Sequence, residues 1–300
     1  MIKHPNFFII GAPKCGTTSL AYYLSKHKKV FFSTPKEPCF FSAPEFPGPV
    51  SNFNEYLNLF KGANSSHLAI GEGSVWYLCS SHAIADILER FPDSKFIVML
   101  RNPVEASFSG FVQTKKGVSK KNRDQFKSFE KAWHAQEERA KGLQIPKGCS
   151  APKKFQYGKV FSYSHQLERL FSLVKKENIH VIIFDDFKLN TDKEYRKVLT
   201  FLGLPYQKPE TYEARNKMGV IHVDSLYKRI LLKVLSLGIK IKDLLGIRKT
   251  LNVVSKFHDS KDIKIERPNE KFRTELIEYF HHDIENLESL LDRDLSAWKK

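Results

Sequence analysis

The sequence predicts a three-layer α/β fold, in which a central parallel sheet lies between two layers of helices. Three short apolar runs have the continuous hydrophobicity of strands that are buried on both faces: Phe7–Ile10, Lys95–Leu100 and His180–Phe184. Helical patterns alternate with these runs over roughly the first 200 residues, which is typical of parallel strands connected by helices.

Apolar periodicity and chain breakers place the elements of the first half. A helix is predicted over 17–27, an irregular segment with five prolines over 33–50, a strand over 67–70, a helix over 81–91 ended by Pro92, and a helix from Asn102–Pro103 to about Lys115. The strand Lys95–Leu100 is the clearest of these elements and ends on Arg101.

The same signals place the elements of the second half of the chain. The glycine-containing basic stretches 115–127 and 142–158 are predicted to be mobile loops; a helix covers 163–177, an acidic turn Asp185–Asp186 follows the third strand, and a helix over 194–202 ends before Gly203 and Pro205. A basic amphipathic stretch, 225–247, and a terminal helix over 272–291 follow. We predict one domain, 1–300, with a C-terminal helical region of about 222–300 packed on it.

Charge and cysteine usage limit the classes of function. Lys and Arg number 49 against 33 Asp and Glu, so the formal net charge is +16, which suits a polyanion or a small phosphorylated ligand. Four separated cysteines form no C-x-x-C pair and argue against a zinc site or a disulfide framework. The short apolar run at the N-terminus and the lack of a long apolar stretch predict a soluble, cytoplasmic chain with no transmembrane segment.

The first strand leads into F-F-I-I-G-A-P-K-C-G-T-T-S, which has the layout of a phosphate loop. Gly11 and Gly16 are separated by four residues, and a helix follows, so backbone N–H groups and the helix N-terminus can hold an anion. A nucleoside triphosphatase needs Lys directly after the second glycine, where this chain has Thr17. Its lysine is Lys14, inside the loop. This displacement disfavours a nucleotide kinase.

The loop resembles the 5′-phosphosulfate loop of the PAPS-dependent sulfotransferases, whose hallmark is P-K-x-G-T-T. The resemblance implies a P-loop-like three-layer fold, PAPS as the sulfuryl donor and no required metal. It assigns donor contacts within the loop to Pro13, Lys14, Cys15, Gly16, Thr17, Thr18 and Ser19.

A second motif, K-F-I-V-M-L-R-N-P-V-E-A-S-F-S-G-F, fits the family's 3′-phosphate site. By this resemblance Arg101 and Ser109 bind the 3′-phosphate, for which a guanidinium is well suited. Further donor contacts implied by the resemblance are Tyr163, Arg215, Lys217 and Gly219. The segments G-K-V-F-S-Y-S-H-Q-L-E-R-L and K-E-P-C-F-F are similar to the bacterial and heparan-type branch.

The same branch implies the catalytic pair. Glu37 is the expected general base, and Lys14 is expected to stabilise the charge that grows on the departing nucleotide. Weaker candidates for the base are His82, His134, His165 and His222. Heparan-type members often carry Lys where this chain has Gly73, so Lys14, helix-terminal amides or another cation such as Lys36 must cover that charge.

We therefore predict an enzyme (EC 2.8.2.-) that moves the sulfuryl group from PAPS to a hydroxyl or amine of a small-molecule acceptor, as in specialised metabolism, and releases adenosine 3′,5′-bisphosphate (PAP). Alternatives are a carbohydrate sulfotransferase, a P-loop nucleotide kinase and a basic nucleic-acid-binding protein; no nucleic-acid partner is expected, and a homodimer stays open. The loops 38–66, 115–127 and 142–158 are expected to select the acceptor. Trp76 and Tyr77 are either core or pocket residues, and 225–247 either packs on the domain or lies on a membrane.

Overall fold

The structure is a computed structural model that describes residues 3–115, 120–212, 221–222, 262–263 and 265–300. The chain divides into two compact units, one formed by Met1–Lys217 with Arg267–Lys300 and the other by Met218–Glu266. The predicted basic stretch 225–247 lies outside the described residues. That it packs on a single domain 1–300 therefore stays a prediction.

A five-stranded, fully parallel sheet forms the centre of the first unit. Its strands are β1 Phe7–Gly11, β2 Val30–Phe32, β3 Ala69–Gly73, β4 Lys95–Leu100 and β5 Ile179–Ile183. They lie in the order β2-β3-β1-β4-β5. The central strands β1 and β4 are buried almost throughout, which explains their unbroken apolar sequences.

Helices connect the strands and follow the sheet. They are α1 Thr17–Ser25, α2 Phe53–Asn58, α3 Ala83–Arg90, α4 Pro103–Lys115, α5 Phe129–His134, α6 Gln136–Ala140, α7 Tyr157–Phe161, α8 Ser164–Leu173, α9 Phe184–Leu189, α10 Thr191–Phe201 and α11 Glu270–Leu291. Short 3₁₀ turns lie at Phe40–Ser42, Lys120–Asn122, Pro152–Phe155, Lys176–Asn178 and Ser296–Lys299.

The strand order places helices on both faces of the sheet. The connection from β1 to β2 runs in one direction along the sheet, whereas β2 to β3, β3 to β4 and β4 to β5 run in the other. Since such crossovers are right-handed, α1 lies on one face and α2 to α8 on the opposite face. Helices α9 and α10 join α1, because Tyr23 contacts the rings of Phe187 and Tyr195. Helix α11 contacts α4 and α8. The predicted three-layer α/β fold is thus confirmed.

Glycine is required where β3 approaches β1. A Cβ at Gly71 would lie only 2.5 Å from the carbonyl oxygen of Phe7, so a larger residue would push β3 away from β1. The observed strand Ala69–Gly73 ends three residues after the predicted strand 67–70. The edge strand Val30–Phe32 was not predicted at all.

The predicted loops and turns are corrected in three places. In the predicted mobile loop 115–127, residues 116–119 lie outside the described residues, whereas contacts hold the part at 120–127. Asp124 is buried in an ion pair with Arg139, and Lys115 Nζ donates to the carbonyl oxygens of Asp124 and Phe126. The stretch 142–158 contains the 3₁₀ turn Pro152–Phe155 and the start of α7. The acidic turn Asp185–Asp186 is the first turn of α9, where carboxylates favour the helix dipole.

The second unit has two described strands, β6 Ile221–His222 and β7 Asp262–Ile263, which pair antiparallel. Of the helices within the described ranges, none is long and apolar enough to cross a membrane.

Candidate active site

The loops that follow β1, β3 and β4 meet at the carboxyl edge of the sheet. In the register of the parallel strands, Ile9 lies beside Gly73 and Gly11 beside Val98. The strand order also changes direction at β1: β3 and β2 lie on one side of it, and β4 and β5, which come later in the chain, lie on the other. Ligands of open α/β sheets bind in such crevices, so the three loops mark the candidate active site.

The loop after β1 has the backbone of a phosphate cradle. Lys14 has φ 66° and Gly16 has φ 89°, both in the left-handed region, and the turn they form leads directly into α1 at Thr17. Gly16 is also required sterically, because a Cβ there would lie 2.8 Å from the ring of Phe184. The N-terminus of α1, whose helix dipole favours negative charge, thus lies at the cradle.

Cys15 and Tyr163 support this loop from below. Both side chains are fully buried, and the Tyr163 hydroxyl lies 3.7 Å from Cys15 Sγ. Burial raises the pKa of Cys15 to about 12, so its side chain stays a thiol. Asp283 of α11 accepts hydrogen bonds from the backbone N–H groups of Tyr163 and Ser164, which fixes the start of α8. A direct contact of Tyr163 with a donor stays a prediction.

Arg101 joins the second motif to the first. Its Nη1 donates to the carbonyl oxygen of Lys14 at 3.5 Å, and its guanidinium lies 5.2 Å from the centre of the Phe184 ring. Glu105, in the first turn of α4, is 3.7 Å from Arg101 Nη2. The strand end at residue 100 therefore places a part-buried cation directly beside the phosphate cradle.

Helix α4 presents a polar edge to the same cradle. Ser109 is 3% exposed on this helix. Gln113, four residues later, accepts a hydrogen bond from Lys14 Nζ at 3.3 Å. Residues four apart lie on one face of a helix, so Gln113 belongs to the face that carries Ser109. The sequence reading missed Gln113, and this spacing is the signal that could have found it.

Phe184 is a second residue that the sequence reading missed. Its ring lies against both Gly16 and Arg101, and so it fixes the cradle and the cation relative to one another. Phe184 directly follows β5, at the same carboxyl edge of the sheet. That position could have identified it, because the residues after parallel strands gather at this edge.

Glu37 lies above the end of β3 in a fixed loop. Its backbone has φ 63°, and its N–H donates to the carbonyl oxygen of Gly73 at 3.0 Å. Its carboxylate is 38% exposed and pairs with Lys36, whose Nζ lies 2.8 Å from Glu37 Oε1. The structure thus presents a solvent-accessible carboxylate with its own cation at the edge where the phosphate loop lies.

A buried carboxyl group lies beneath this loop. Glu72 is fully buried on β3 and accepts hydrogen bonds from Ser74 Oγ at 2.8 Å and the Tyr56 hydroxyl at 3.4 Å. Ser74 Oγ in turn accepts from the N–H of Cys39 at 3.0 Å, so the Glu72 side chain holds the loop that carries Glu37. Burial raises the pKa of Glu72 to about 7, and hydrogen bonds from Tyr77 and Ser74 limit the rise.

This raised pKa predicts a pH-dependent stability. Between its ordinary value of 4.5 and about 7, Glu72 binds a proton in the folded but not in the unfolded chain, so stability falls as pH rises through that range. We expect Glu72→Gln, whose amide has no charge to desolvate, to remove this loss. Urea unfolding should show the wild type losing roughly 3 kcal/mol relative to the variant between pH 4.5 and 8. A parallel pH dependence of the two proteins would contradict the expectation.

Aromatic and basic side chains form a wall where the segment that follows Glu37 meets the loop that follows β3. Trp76 stacks on Phe46 with ring centres 4.8 Å apart, and Lys154 Nζ lies 5.0 Å from the Trp76 ring. Tyr77 is fully buried. Trp76 is thus placed in the wall and Tyr77 in the core.

A cavity of about 380 Å³ opens next to Phe46. Its lining includes Lys153, Lys159, His165 and Arg169. Lys153 forms an ion pair with Glu45, which also accepts hydrogen bonds from Ser80 and Ser81. Although partial burial opposes it, these donors hold the pKa of Glu45 at about 2. The cavity therefore has a positive lining, in which one lysine already has a carboxylate partner.

The remaining predicted residues either lie outside the described part of the structure or lie away from the phosphate loop. Arg215, Lys217, Gly219 and the side chain of His222 lie outside the described part of the structure. His82 and His134 pair with Asp86 and Glu275, each at 2.7–2.8 Å, and His165 is an exposed residue near Glu168. None of these three histidines contacts the phosphate loop within the described contacts. Among the described residues no group of three His, Cys, Asp or Glu side chains is arranged to hold a metal ion.

Comparison with known proteins points to one chemistry. A family model described as "Sulfotransferase domain" matches residues 4–219. Among curated proteins, carbohydrate sulfotransferase 15 of Mus musculus is 28% identical over 259 residues, covering 67% of this chain and 44% of that protein. Membrane-associated sulfotransferase kil1 of Dictyostelium discoideum is 32% identical over 110 residues, covering 36% of this chain and 22% of that protein. The chain thus spans less than half the length of these curated relatives.

Solved structures agree with this match. A sulfotransferase from Alicyclobacillus acidocaldarius is 27% identical, with full coverage of both chains and a TM-score of 0.70. Mouse sulfotransferase SULT7A1, solved in complex with PAP, is 10% identical, with 95% of this chain and 85% of that chain covered and a TM-score of 0.51. At that identity the mouse structure shows a shared fold alone.

Proposed function

The chain belongs to the PAPS-dependent sulfotransferase family, and on this premise we propose that it transfers the sulfuryl group of PAPS to a hydroxyl or amine of a small-molecule acceptor. One observation carries the proposal. Arg101 Nη1 contacts the carbonyl oxygen of Lys14 at 3.5 Å, so the two phosphate-binding motifs form one site. A donor with phosphate on both its 5′ and 3′ sides needs two such motifs side by side.

The residues around the cradle fit the two ends of this donor. The left-handed turn at Lys14 and Gly16 and the first turn of α1 suit the 5′-phosphosulfate. The Arg101 guanidinium, with the hydroxyl of Ser109 on the neighbouring helix face, suits the 3′-phosphate, because guanidinium groups bind phosphate with paired hydrogen bonds. Gln113 and Phe184 hold Lys14 and Arg101 in place.

The proposed reaction is an in-line displacement at sulfur. The acceptor oxygen or nitrogen forms a bond to sulfur while its proton moves to the Glu37 carboxylate. The bond between sulfur and the bridging oxygen of the 5′-phosphate breaks, and its electron pair leaves with PAP. Lys14 stabilises the charge that develops on that bridging oxygen. The products are a sulfate ester or sulfamate, PAP and a proton carried by Glu37.

Calorimetry with PAP tests the donor half of this proposal. Wild-type chain should bind PAP with a measurable heat at a single site. Arg101→Ala removes the charged partner of the 3′-phosphate and should weaken binding by about 1.5–3 kcal/mol, which is roughly ten- to a hundred-fold. Absence of PAP binding by the wild type would contradict the proposed function.

A matched cation serves as the control for Arg101. Arg196 lies on α10 in an exposed ion pair with Asp192, at 2.6 Å. Arg196→Ala removes the same charge from the chain but not from the proposed site, so its PAP affinity should stay within about twofold of the wild type. An equal loss of PAP affinity in both variants would mean that Arg101 contributes only through the net charge of the chain.

A carbohydrate acceptor is the second candidate, and the basic lining of the cavity next to Phe46 favours it. The cavity carries Lys153, Lys159 and Arg169, which would suit an anionic sugar. The curated relative from Mus musculus is named a carbohydrate sulfotransferase. Transfer of labelled sulfate from PAPS onto matched panels of alcohols, phenols, amines, neutral sugars and anionic sugars decides between the two acceptor classes.

A further inference from the structure

Lys36 lies directly beside Glu37, the proposed base, and the reaction outlined above gives it no role. Its ammonium is 2.8 Å from Glu37 Oε1, and its side chain is only 20% exposed. The buried carboxyl of Glu72 also feels its charge. Lys36 therefore faces two carboxyl groups in a confined position, unlike a lysine on a solvated surface.

Gly73 makes room for this side chain. A Cβ at residue 73 would lie 3.5 Å from Lys36 Cε, 3.5 Å from Ile9 Cβ and 3.3 Å from Phe32 Cζ. The stem of Lys36 thus runs over the bare backbone at the end of β3. The bond from Glu37 N–H to the Gly73 carbonyl oxygen fixes the loop in this position.

This position lies beside the phosphate loop. Gly73 pairs in register with Ile9, two residues before the end of β1, and neighbouring strands lie about 4.8 Å apart. Lys14 follows β1, and Lys36 covers the end of β3. A group transferred from the phosphate loop to an acceptor next to Glu37 must pass the edge that Lys36 covers.

We infer that Lys36 is a catalytic residue that binds the sulfuryl oxygens during transfer. Its ammonium leaves the Glu37 carboxylate for these oxygens, and the carboxylate is then free to accept the acceptor's proton. This inference rests on the proposed function. An ammonium has three donors, of which the bond to Glu37 uses one, so it can reach the sulfuryl group before that bond is lost.

The exchange keeps charge balanced throughout the reaction. Before transfer, the Lys36 cation neutralises Glu37. During transfer, the proton from the acceptor neutralises the carboxylate, and the Lys36 cation is then available to the three sulfuryl oxygens, over which the transition state spreads its charge. Lys14 acts on the other side of sulfur, at the bridging oxygen. No further reactant is needed.

The first test removes the ammonium. In a single turnover with labelled PAPS and water as acceptor, Lys36→Ala should release labelled sulfate about a hundred-fold more slowly than the wild type. Its affinity for PAP, measured by calorimetry, should stay within about twofold, because PAP lacks the sulfuryl group. Lys197→Ala is the matched control: Lys197 pairs with Glu194 on α10 at 2.7 Å, and its loss should leave both values unchanged.

The second test moves the ammonium from the loop that carries Lys36 to the end of β3. Gly73→Lys in the Lys36→Ala background places a lysine stem where the original stem was removed, so sulfate release should recover at least about tenfold. This recovery separates a role for the charge from a role in holding the loop. Thermal unfolding of both variants confirms that they are folded.

The outcomes are distinct. Sulfate release by Lys36→Ala within about twofold of the wild type would overturn the inference, and so would a slow variant that Gly73→Lys does not accelerate. An equal loss of PAP affinity would also overturn it, because Lys36 would then be part of the donor site. A wild-type chain that neither binds PAP nor releases sulfate would instead contradict the proposed function itself.

Discussion

Replacing Glu37 by Gln should lower the rate of sulfuryl transfer by about 10²- to 10⁴-fold, the range that a general base contributes. The amide keeps the size of the side chain and can still accept a hydrogen bond from Lys36, but it cannot take the acceptor's proton. PAP affinity should be unchanged, since Glu37 is not among the proposed donor contacts. Single-turnover transfer of labelled sulfate to the best acceptor of the panel measures the rate, and calorimetry measures the affinity.

Glu138 provides the matched control for this variant. It pairs with Lys141 at 3.2 Å and is 40% exposed, close to the 38% of Glu37. Glu138→Gln should therefore retain the wild-type rate. Full activity of Glu37→Gln would remove Glu37 from the role of base, and equal losses in both variants would point to a general effect of lost negative charge.

Removing Asp124 should destabilise the chain by about 3–5 kcal/mol, the usual cost of leaving one charge of a buried pair without its partner. Asp124 Oδ1 lies 2.9 Å from Arg139 Nη2, and neither side chain is exposed. The other carboxylate oxygen accepts from the Tyr157 hydroxyl at 2.7 Å. Asp124→Ala thus leaves a buried guanidinium and a buried hydroxyl without their carboxylate. Urea unfolding gives the change in free energy.

The helix that carries Arg139 supplies the comparison for stability. Glu138 precedes Arg139 on α6, and its ion pair with Lys141 is exposed to solvent. Glu138→Ala should cost less than about 1 kcal/mol, because solvent screens exposed pairs. If Asp124→Ala cost no more than this, the buried pair would not be what fixes residues 120–127.

Long, uniformly apolar segments made most of the fold predictable. The strands at 7–11 and 95–100 are buried on both faces, so their sequences carry a strong local signal. The edge strand at 179–183 is also continuously apolar apart from His180, although only Ile182 and Ile183 are buried, and the 22-residue helix α11 has a clear apolar stripe. The three-residue strand β2 and the five- and six-residue helices α5 and α6 carry too few residues for a period to be recognised. The pair of Asp124 and Arg139 gave no local signal either, because neighbouring residues do not predict burial of a charge.

The candidate site was predictable to the extent that motifs follow strands. Lys14 and Arg101 follow β1 and β4, and the structure brings them together because parallel strands end at one edge. Gln113 and Phe184 were not predictable from those motifs, since their roles depend on packing between α4, β5 and the loop. The left-handed backbone of Glu37 was not predictable either, because the carbonyl oxygen that accepts from its N–H belongs to Gly73, far along the chain. The donor-contact roles of the predicted residues remain proposals that the experiments above address.

The support of the phosphate loop from below also bears on how the protein is made. The loop around Cys15 leaves the ribosome well before Asp283 of α11, the residue that fixes Tyr163 beneath it. Because chains emerge at about 5–20 residues per second, the loop waits roughly 13–54 seconds for Asp283. A nascent chain that lacks α11 would therefore carry the complete loop sequence without the underlying support. Competence to bind the donor should accordingly appear only after α11 has been made and has docked.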